Sequence, residues 1–397
     1  MNFLNPLKNR SVLLGITGGV AAYKSVELAR RLYDEEASVV TIMTEASRHF
    51  ITPLSLEVAS RNRVYTSLWE DPLAHIRLPK EADITVIAPA TANLIAKFSQ
   101  GIADDLLSTC LLSCSSKKVI IAPAMNWRMY ENPAVQRNLS QLTSQGVILV
   151  GPEQGSLACG EEGTGRMAGV PEIIDAIRSA LTKKDLVGER IVVTAGPTRE
   201  YLDPVRFISN RSSGKMGYAL AAAARDRGAV VTLISGPTSL QPPAGVRYIP
   251  VETAAAMFAA VTGETARAAT MLVMAAAVAD FSPETRAETK LGKKDMPQLK
   301  LRMTDDIIAA VASSPGRPFI VGFAAETGRD LDRARQKMRD KQMDMIVFND
   351  VAEPGAGFDV DTNRVVIIDR SGEQGTELMS KNSVAHAIFD RVREIKA

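Results

Sequence analysis

Two short segments carry residue types that a folded core does not call for. Pro123-Ala124-Met125-Asn126-Trp127-Arg128-Met129-Tyr130 sets a carboxamide and flexible thioethers directly after an apolar run. Ser209-Asn210-Arg211-Ser212-Ser213-Gly214-Lys215-Met216-Gly217 sets small residues and a lysine at the start of a helical pattern. Hydroxyls and free N–H groups at a helix start suit a phosphate. The two segments point to two active sites on one polypeptide.

Around the first segment lie single residues with two readings each. Gly15-Ile16-Thr17-Gly18-Gly19-Val20 is not the G-x-G-x-x-G dinucleotide fingerprint. Gly18 and Gly19 make either a plain tight turn or a phosphate cradle at a helix start. Thr44 and Ser47, after the next apolar run, either add hydroxyls to the same anion or cap a helix. His75 sits in Ala74-His75-Ile76-Arg77-Leu78, outside any clear helix face. It is a proton acceptor at neutral pH or a packing residue. Cys159, in Ala158-Cys159-Gly160-Glu161-Glu162-Gly163, is a thiol that a glycine-rich lid would carry to a substrate, or a plain loop cysteine. Cys110 and Cys114 are four apart on a predicted helix. No further cysteine or histidine stands nearby to complete a zinc site, so they read as core.

The second half repeats the pattern with more charge. Ser212-Ser213-Gly214-Lys215 lacks the P-loop spacing, which excludes a P-loop ATPase. Asn210 offers an amide that holds an acyl intermediate without a competing nucleophile. Arg206 either pairs with a carboxylate or a phosphate or, like Asn210, is a plain surface loop residue. Asp280 closes Ala275-Ala276-Ala277-Val278-Ala279-Asp280, where it accepts from a ribose hydroxyl, helps hold a metal, or caps a turn. Lys290, Lys293, Lys294 and Lys300 form either a solvated loop or the charge a triphosphate needs. Lys337 and Lys341 share a helix face, which Arg333 extends.

These residues need elements to hold them. A chain of 397 residues exceeds one ordinary domain. With 46% hydrophobic but only 5% aromatic residues, aliphatic side chains must fill the cores, as in sheets covered by helices. The net charge of +2 argues against nucleic acid or a membrane surface as partner. The apolar run Met271 to Ala279 is far short of the ~20 residues that span a bilayer. No secretory leader opens the chain, and three cysteines make no disulfide framework. A cytoplasmic enzyme is the expectation. Short strands (Ser11 to Thr17, Ser38 to Met43, Ile84 to Ala88, Val119 to Ala122, Val147 to Val150) alternate with helices. A second series follows the polar stretch Thr182-Lys183-Lys184-Asp185: Arg190 to Thr194, Val230 to Ser235, Met271 to Ala277, Phe319 to Phe323 and Met345 to Phe348. Arg364 to Asp369 reads as an edge hairpin. The fold class is α/β, with two doubly wound, Rossmann-like domains over 1–185 and 186–397, and ligands at the C-terminal strand ends.

The N-terminal half resembles the homo-oligomeric flavin-containing cysteine decarboxylases. The likeness rests on Thr17-Gly18-Gly19, Ala88-Pro89-Ala90-Thr91-Ala92-Asn93, His75, Pro123-Ala124-Met125-Asn126, Ala158-Cys159-Gly160 and Gly165-Arg166-Met167. The whole chain resembles the bifunctional phosphopantothenoylcysteine decarboxylase and phosphopantothenate–cysteine ligase family of coenzyme A biosynthesis. That resemblance implies a flavodoxin-like domain with FMN at Gly18, Gly19, Thr44, Ser47, Pro89, Ala90, Thr91 and Asn93. It implies a redox-neutral decarboxylation of 4'-phosphopantothenoylcysteine, in which oxidation to a thioaldehyde creates the sink for the electrons that CO2 leaves. His75 would be base and orienter, Asn126 would hold the substrate carboxylate, and Cys159 would protonate the enethiolate.

For the C-terminal half the likeness lies in Ala195-Gly196-Pro197-Thr198, Asp203-Pro204-Val205-Arg206, Asn210 to Gly217, Ala275 to Asp280, Gly322-Phe323-Ala324-Ala325-Glu326 and Phe348-Asn349-Asp350. It implies a nucleotide-binding ligase domain that joins 4'-phosphopantothenate to cysteine. CTP, with Mg2+ or a similar cation, would activate the carboxylate as an acyl-cytidylate. Asn210 and Lys290 would be catalytic. Arg206, Ser212, Ala275, Ala276, Ala277, Asp280, Lys290, Asp305, Asp306, Ile307, Ile308, Phe323, Lys337 and Lys341 would bind CTP or substrate. Lys290-Leu291-Gly292-Lys293-Lys294 is one residue longer than the family's lysine cluster, which leaves open which lysine reaches the phosphates. The metal ligands are open too, Asp280 being one option. Family assembly implies a homo-oligomer, a dodecamer of decarboxylase trimers and ligase dimers. The alternative is a flavin-binding regulatory subunit without catalysis. A nicotinamide oxidoreductase is disfavoured by the missing fingerprint.

Overall fold

The computed structural model describes residues 6–115, 118–156, 160–292, 299–328, 330–357 and 359–396. Its contacts divide the chain between Thr182 and Lys183 into two units.

The first unit has strands β1 (Ser11–Ile16), β2 (Ser38–Met43), β3 (Val64–Tyr65), β4 (Ile84–Ala90), β5 (Val119–Pro123) and β6 (Ile148–Leu149). A separate antiparallel hairpin pairs β7 (Glu153–Ser156) with β8 (Glu162–Arg166). The helices are α1 (Tyr23–Asp34), α2 (Pro53–Ser60), α3 (Ala74–Glu81), α4 (Ala92–Gln100), α5 (Leu106–Ser113), α6 (Trp127–Tyr130), α7 (Pro133–Ser144) and α8 (Val170–Leu181). The six-stranded sheet runs β3-β2-β1-β4-β5-β6, all parallel. Side chains alternate across each strand, so one strand serves two cores. Val12, Leu14 and Ile16 pack with Leu28, Leu32, Ile173 and Ile177 of α1 and α8. Leu13 and Ile87 face Leu94, Leu107 and Leu142 of α4, α5 and α7.

The second unit has strands β9 (Arg190–Ala195), β10 (Arg199–Tyr201), β11 (Phe207–Ser209), β12 (Val230–Ser235), β13 (Arg247–Pro250), β14 (Met271–Met274), β15 (Phe281–Pro283), β16 (Leu301–Met303), β17 (Phe319–Glu326) and β18 (Met345–Asp350). Then come β19 (Thr362–Asn363), β20 (Val366–Asp369), β21 (Gly372–Gly375) and β22 (Met379–Ser380). Its helices are α9 (Lys215–Asp226), α10 (Ala254–Ala266), α11 (Ile307–Ala312), α12 (Leu331–Asp340) and α13 (Lys381–Lys396). The eight-stranded sheet runs β13-β12-β9-β14-β17-β18-β20-β21. It is parallel as far as β18, and β20 and β21 add the expected antiparallel edge hairpin. Val193 and Ala195 pack on Leu220, Ile388 and Phe389 of α9 and α13, while Val192 faces Met257, Val311 and Met338 of α10 to α12.

Two elements differ from expectation. The strand expected over Met271 to Ala277 ends at Met274, because the Ala276 N–H goes to Thr194 Oγ1 (3.1 Å) and the Ala277 N–H to Gly196 O (2.9 Å). The alanine segment therefore leaves the ladder at the strand end. His75 lies in the first turn of a helix that Pro79 obscured in the sequence. Pro79 has no N–H to give the His75 carbonyl, and Ser113 Oγ takes that place at 2.8 Å.

Candidate active sites

In the first unit the strand order reverses between β1 and β4, the position at whose C-terminal strand ends doubly wound sheets bind ligands. Thr17 locks the two loops together there. Its hydroxyl donates to Pro89 O (2.7 Å) and accepts from Thr91 N (3.0 Å). Gly18 is obligatory, since a Cβ would stand 2.5 Å from that of Ala46. Gly19 precedes the Val20–Ala22 turn that leads into α1 and contributes no side-chain cap, so the first N–H groups face outward without a side-chain acceptor. A phosphate fits that donor set. Pro89, Ala90, Thr91 and Asn93 stand at the same end of the sheet, at the end of β4 and the start of α4, and Ala124 N bonds Ala90 O to bring in the next loop. Thr44 and Ser47 arrive from the end of β2, but neither caps with its side chain. Thr44 Oγ1 donates to Ile16 O (3.3 Å) and Ser47 Oγ to Thr44 O (2.7 Å).

Asn126 stands on the loop after β5. Its Oδ1 accepts from Arg128 N at 2.9 Å, opening α6, while Nδ2 points to Glu161 of the hairpin. His75 reaches the unit on α3, which packs on α5, and its Nδ1 is buried without a hydrogen-bond partner among the described residues. Cys159 lies outside the described residues. Cys110 and Cys114 belong to the core under β4 and β5; burial pushes the Cys110 thiol up to about 12, so it stays protonated.

The second unit repeats the arrangement. Strand order reverses between β9 and β14, and an open cleft of about 1070 Å³ lies at that end. Asn210, Ser212, Ala275, Ala276, Ala277 and Asp280 line it. Asp305, Asp306, Ile307, Ile308, Phe323, Lys337 and Lys341 line it as well. Asn210 Nδ2 donates to Val278 O at 2.9 Å, and Thr198 Oγ1 accepts from Ala279 N at 3.0 Å, so loops after β9, β11 and β14 form one wall. Gly214, at φ +77°, gives α9 no side-chain cap, and its first turn opens on the cleft.

Charge in the cleft is graded. Burial pushes the Lys337 ammonium down, and Lys341 adds to that; Glu326 and Asp280 oppose it. Its Nζ is 3.3 Å from Phe323 O. Lys341 pairs with Asp306 at 3.0 Å. Burial alone would raise the Asp306 carboxyl, but the Ala309 N–H and Lys341 hold it below the usual range. Two expected residues do not line the cleft. Arg206 is already engaged, with Nε 2.9 Å from Asp203 Oδ2 and Nη2 2.7 Å from Leu291 O. The buried Asp203 also takes the N–H groups of Val205, Arg206 and Leu291. Lys290 is exposed beside that anchor and is absent from the lining, and Lys293 and Lys294 lie outside the described residues. No group of three metal-ligating side chains surrounds Asp280 or any other described residue.

Residues 3–182 match the family model described as Flavoprotein, and residues 186–395 match the DNA/pantothenate metabolism flavoprotein C-terminal domain. The coenzyme A biosynthesis bifunctional protein CoaBC of Vibrio cholerae is 45% identical over 399 residues, covering 98% of this chain and 100% of that one. The protein of the same name from Bacillus subtilis is 44% identical over 397 residues, covering 97% of each. The chain belongs to this bifunctional coenzyme A biosynthesis family. A crystal structure of the C-terminal domain of CoaBC superposes with a TM-score of 0.47 at 36% identity, covering 54% of this chain and 98% of that one. In this family member the sequence reading left out Lys381, which begins α13 and lines the cleft. Only 5% exposed, it donates to Gly357 O and Val360 O, and burial with Lys215 nearby pushes it down to about 8. No local pattern marks it; a single lysine opening an amphipathic helix looks like any exposed one.

Proposed function

We propose that the chain carries out two consecutive steps of coenzyme A biosynthesis, one in each unit. The C-terminal unit joins 4'-phosphopantothenate to cysteine, and the N-terminal unit decarboxylates the resulting 4'-phosphopantothenoylcysteine to 4'-phosphopantetheine. The observation that carries this reading is the near full-length identity to the bifunctional family. In support, motif residues of the C-terminal unit line the cleft at its switch point, and Gly18, Gly19 and Thr91 stand beside the switch point of the N-terminal sheet.

In the ligase a free carboxylate has no viable leaving group, so it attacks the α-phosphate of CTP, expelling pyrophosphate, and the cysteine amine then displaces CMP from the acyl-cytidylate. Lys337, Lys341 and the first turn of α9 offset the phosphate charge, and Asn210 holds the acyl group beside the Ala275–Ala277 wall. With no ready-made metal cluster among the described residues, Mg2+ would enter on the triphosphate, as that ion commonly does. In the decarboxylase, bound FMN would take a hydride equivalent from the cysteine moiety and later return it, so that the thiocarbonyl made in between accepts the electrons that CO2 leaves. The Gly18–Gly19 turn and the start of α4 would hold its phosphate, with Thr44 and Ser47 alongside. His75, whose buried Nδ1 has no partner among the described residues, takes the proton, Asn126 orients the carboxylate, and Cys159 returns a proton. The proposed compartment is the cytoplasm, where the family resemblance puts both reactions. No helix of the described residues is long and apolar enough to cross a membrane.

The test supplies the purified chain with CTP, 4'-phosphopantothenate, cysteine and Mg2+. Pyrophosphate, CMP and CO2 should form, and the protein should release FMN on denaturation. A chain that binds FMN yet yields neither pyrophosphate nor CO2 would be a regulatory flavoprotein instead.

A further inference from the structure

Three residues of the loop after β5 converge on one carboxylate of the β7–β8 hairpin. Glu161 Oε2 accepts from Trp127 Nε1 (2.8 Å) and from Asn126 Nδ2 (3.3 Å), and Arg128 Nη2 lies 3.4 Å from Oε1. The backbone below forces this meeting. Met125 N donates to Gly165 O at 3.0 Å. A Cβ on Gly165 would stand 2.2 Å from the Met125 carbonyl oxygen, and one on Gly163 2.7 Å from Trp127 Cβ. Strand β8 lies against residues 125–127 only because glycine occupies both positions. The Asn126 carboxamide is oriented as well. With Oδ1 spent on Arg128 N, its donor nitrogen must face the hairpin.

The inference rests on the proposed role of Asn126, which offers Nδ2 to the carboxylate of 4'-phosphopantothenoylcysteine. We propose that Glu161 is a placeholder for that substrate carboxylate. Its own carboxylate sits on the donors the substrate needs, and two carboxylates on one amide repel each other. The incoming substrate therefore displaces Glu161 from Asn126 and Trp127. Once CO2 has left, nothing on the product competes, and Glu161 returns. The half-buried amide and indole donors are thus kept paired between turnovers. A product without a carboxylate has no hold on them, which favours its release.

Glu161→Gln in the full-length, flavin-loaded chain keeps the shape and removes the charge. The KM for 4'-phosphopantothenoylcysteine should fall about 3- to 10-fold, while inhibition by the product 4'-phosphopantetheine stays unchanged. Glu161→Asp, which shortens the reach, should move KM in the same direction. A rise in KM, or a fall in kcat with KM unmoved, would make Glu161 a brace or a chemical participant and overturn the proposal. Equal tightening of substrate and product would mean general loosening of the hairpin and overturn it too. Asn126→Ala separates the two layers. If that change leaves KM and kcat alone, the role of Asn126 itself fails; if it weakens the substrate while Glu161→Gln does not tighten it, only the placeholder fails.

Discussion

Asn210 shows how little freedom a site residue has here. Its amide nitrogen is tied to the carbonyl of Val278, which leaves the side chain fixed over the cleft. Asn210→Asp turns that donor into an anion facing a carbonyl on one side and the acyl phosphate on the other. Ligation should fall by ~10²-fold or more, as when an oriented donor is lost, while CO2 release from supplied 4'-phosphopantothenoylcysteine continues. His75→Asn should show the opposite pattern in the same paired assay. Parallel loss in both folded variants would contradict separate sites. Cys159→Ser should act late. A hydroxyl has a far higher pKa than a thiol and donates a proton poorly, whereas oxidation and loss of CO2 need only the groups that remain. A stoichiometric burst of CO2 should accompany a product still lacking two hydrogens, read by mass spectrometry. No CO2 at all would place Cys159 earlier in the cycle.

Among the helices, α13 has a pH dependence of its own. Burial pushes His386 down to about 4 from its ordinary 6.5, with the Arg227 guanidinium adding to the effect. Its Nε2 is buried without a partner among the described residues. Between those two values the unfolded chain takes up a proton that the folded imidazole refuses. Stability from this residue is therefore complete above pH 6.5 and is lost as the pH falls toward 4, by about 3 kcal/mol. Unfolding of the C-terminal unit followed by hydrogen exchange at pH 7 and pH 5 should show the loss. His386→Leu or His386→Phe should shrink it. An unchanged difference between the two pH values would mean that another group governs acid sensitivity.

Assembly is the property of the whole molecule that bears most on the proposed flavin site. Val20, Tyr23, Phe50 and Leu54 are large, exposed and apolar, and they flank the loops after β1 and β2. Such side chains call for a cover. The proposed cover is another copy of the chain, in a dodecamer combining threefold contacts of the decarboxylase units with twofold contacts of the ligase units. Light scattering at micromolar concentration should give a mass near twelve chains. A fully active monomer would refute it, and Leu54→Glu should split the assembly with loss of decarboxylation ahead of ligation.

Much of this molecule was legible from local pattern. Strands such as Ser38–Met43 and Val230–Ser235 fall where the apolar runs place them, since a two-sided parallel strand must be apolar along its length. The Asn126 and Asn210 segments could be singled out because their chemistry is packed into a few consecutive residues. Long-range pairing was not legible. Arg206 looked free for a ligand until Asp203 and the Leu291 carbonyl claimed it. His75 showed no clear helix face until Ser113, far along the chain, replaced the hydrogen bond that Pro79 cannot make. Lys381 and Glu161 carried no signal, because their neighbours in space come from Gly357, Val360, Asn126 and Trp127. Composition and periodicity determine which segments become strands and helices, because burial follows the period of each element. Only the tertiary structure decides which charge meets which donor, because that depends on distances between residues the chain keeps far apart.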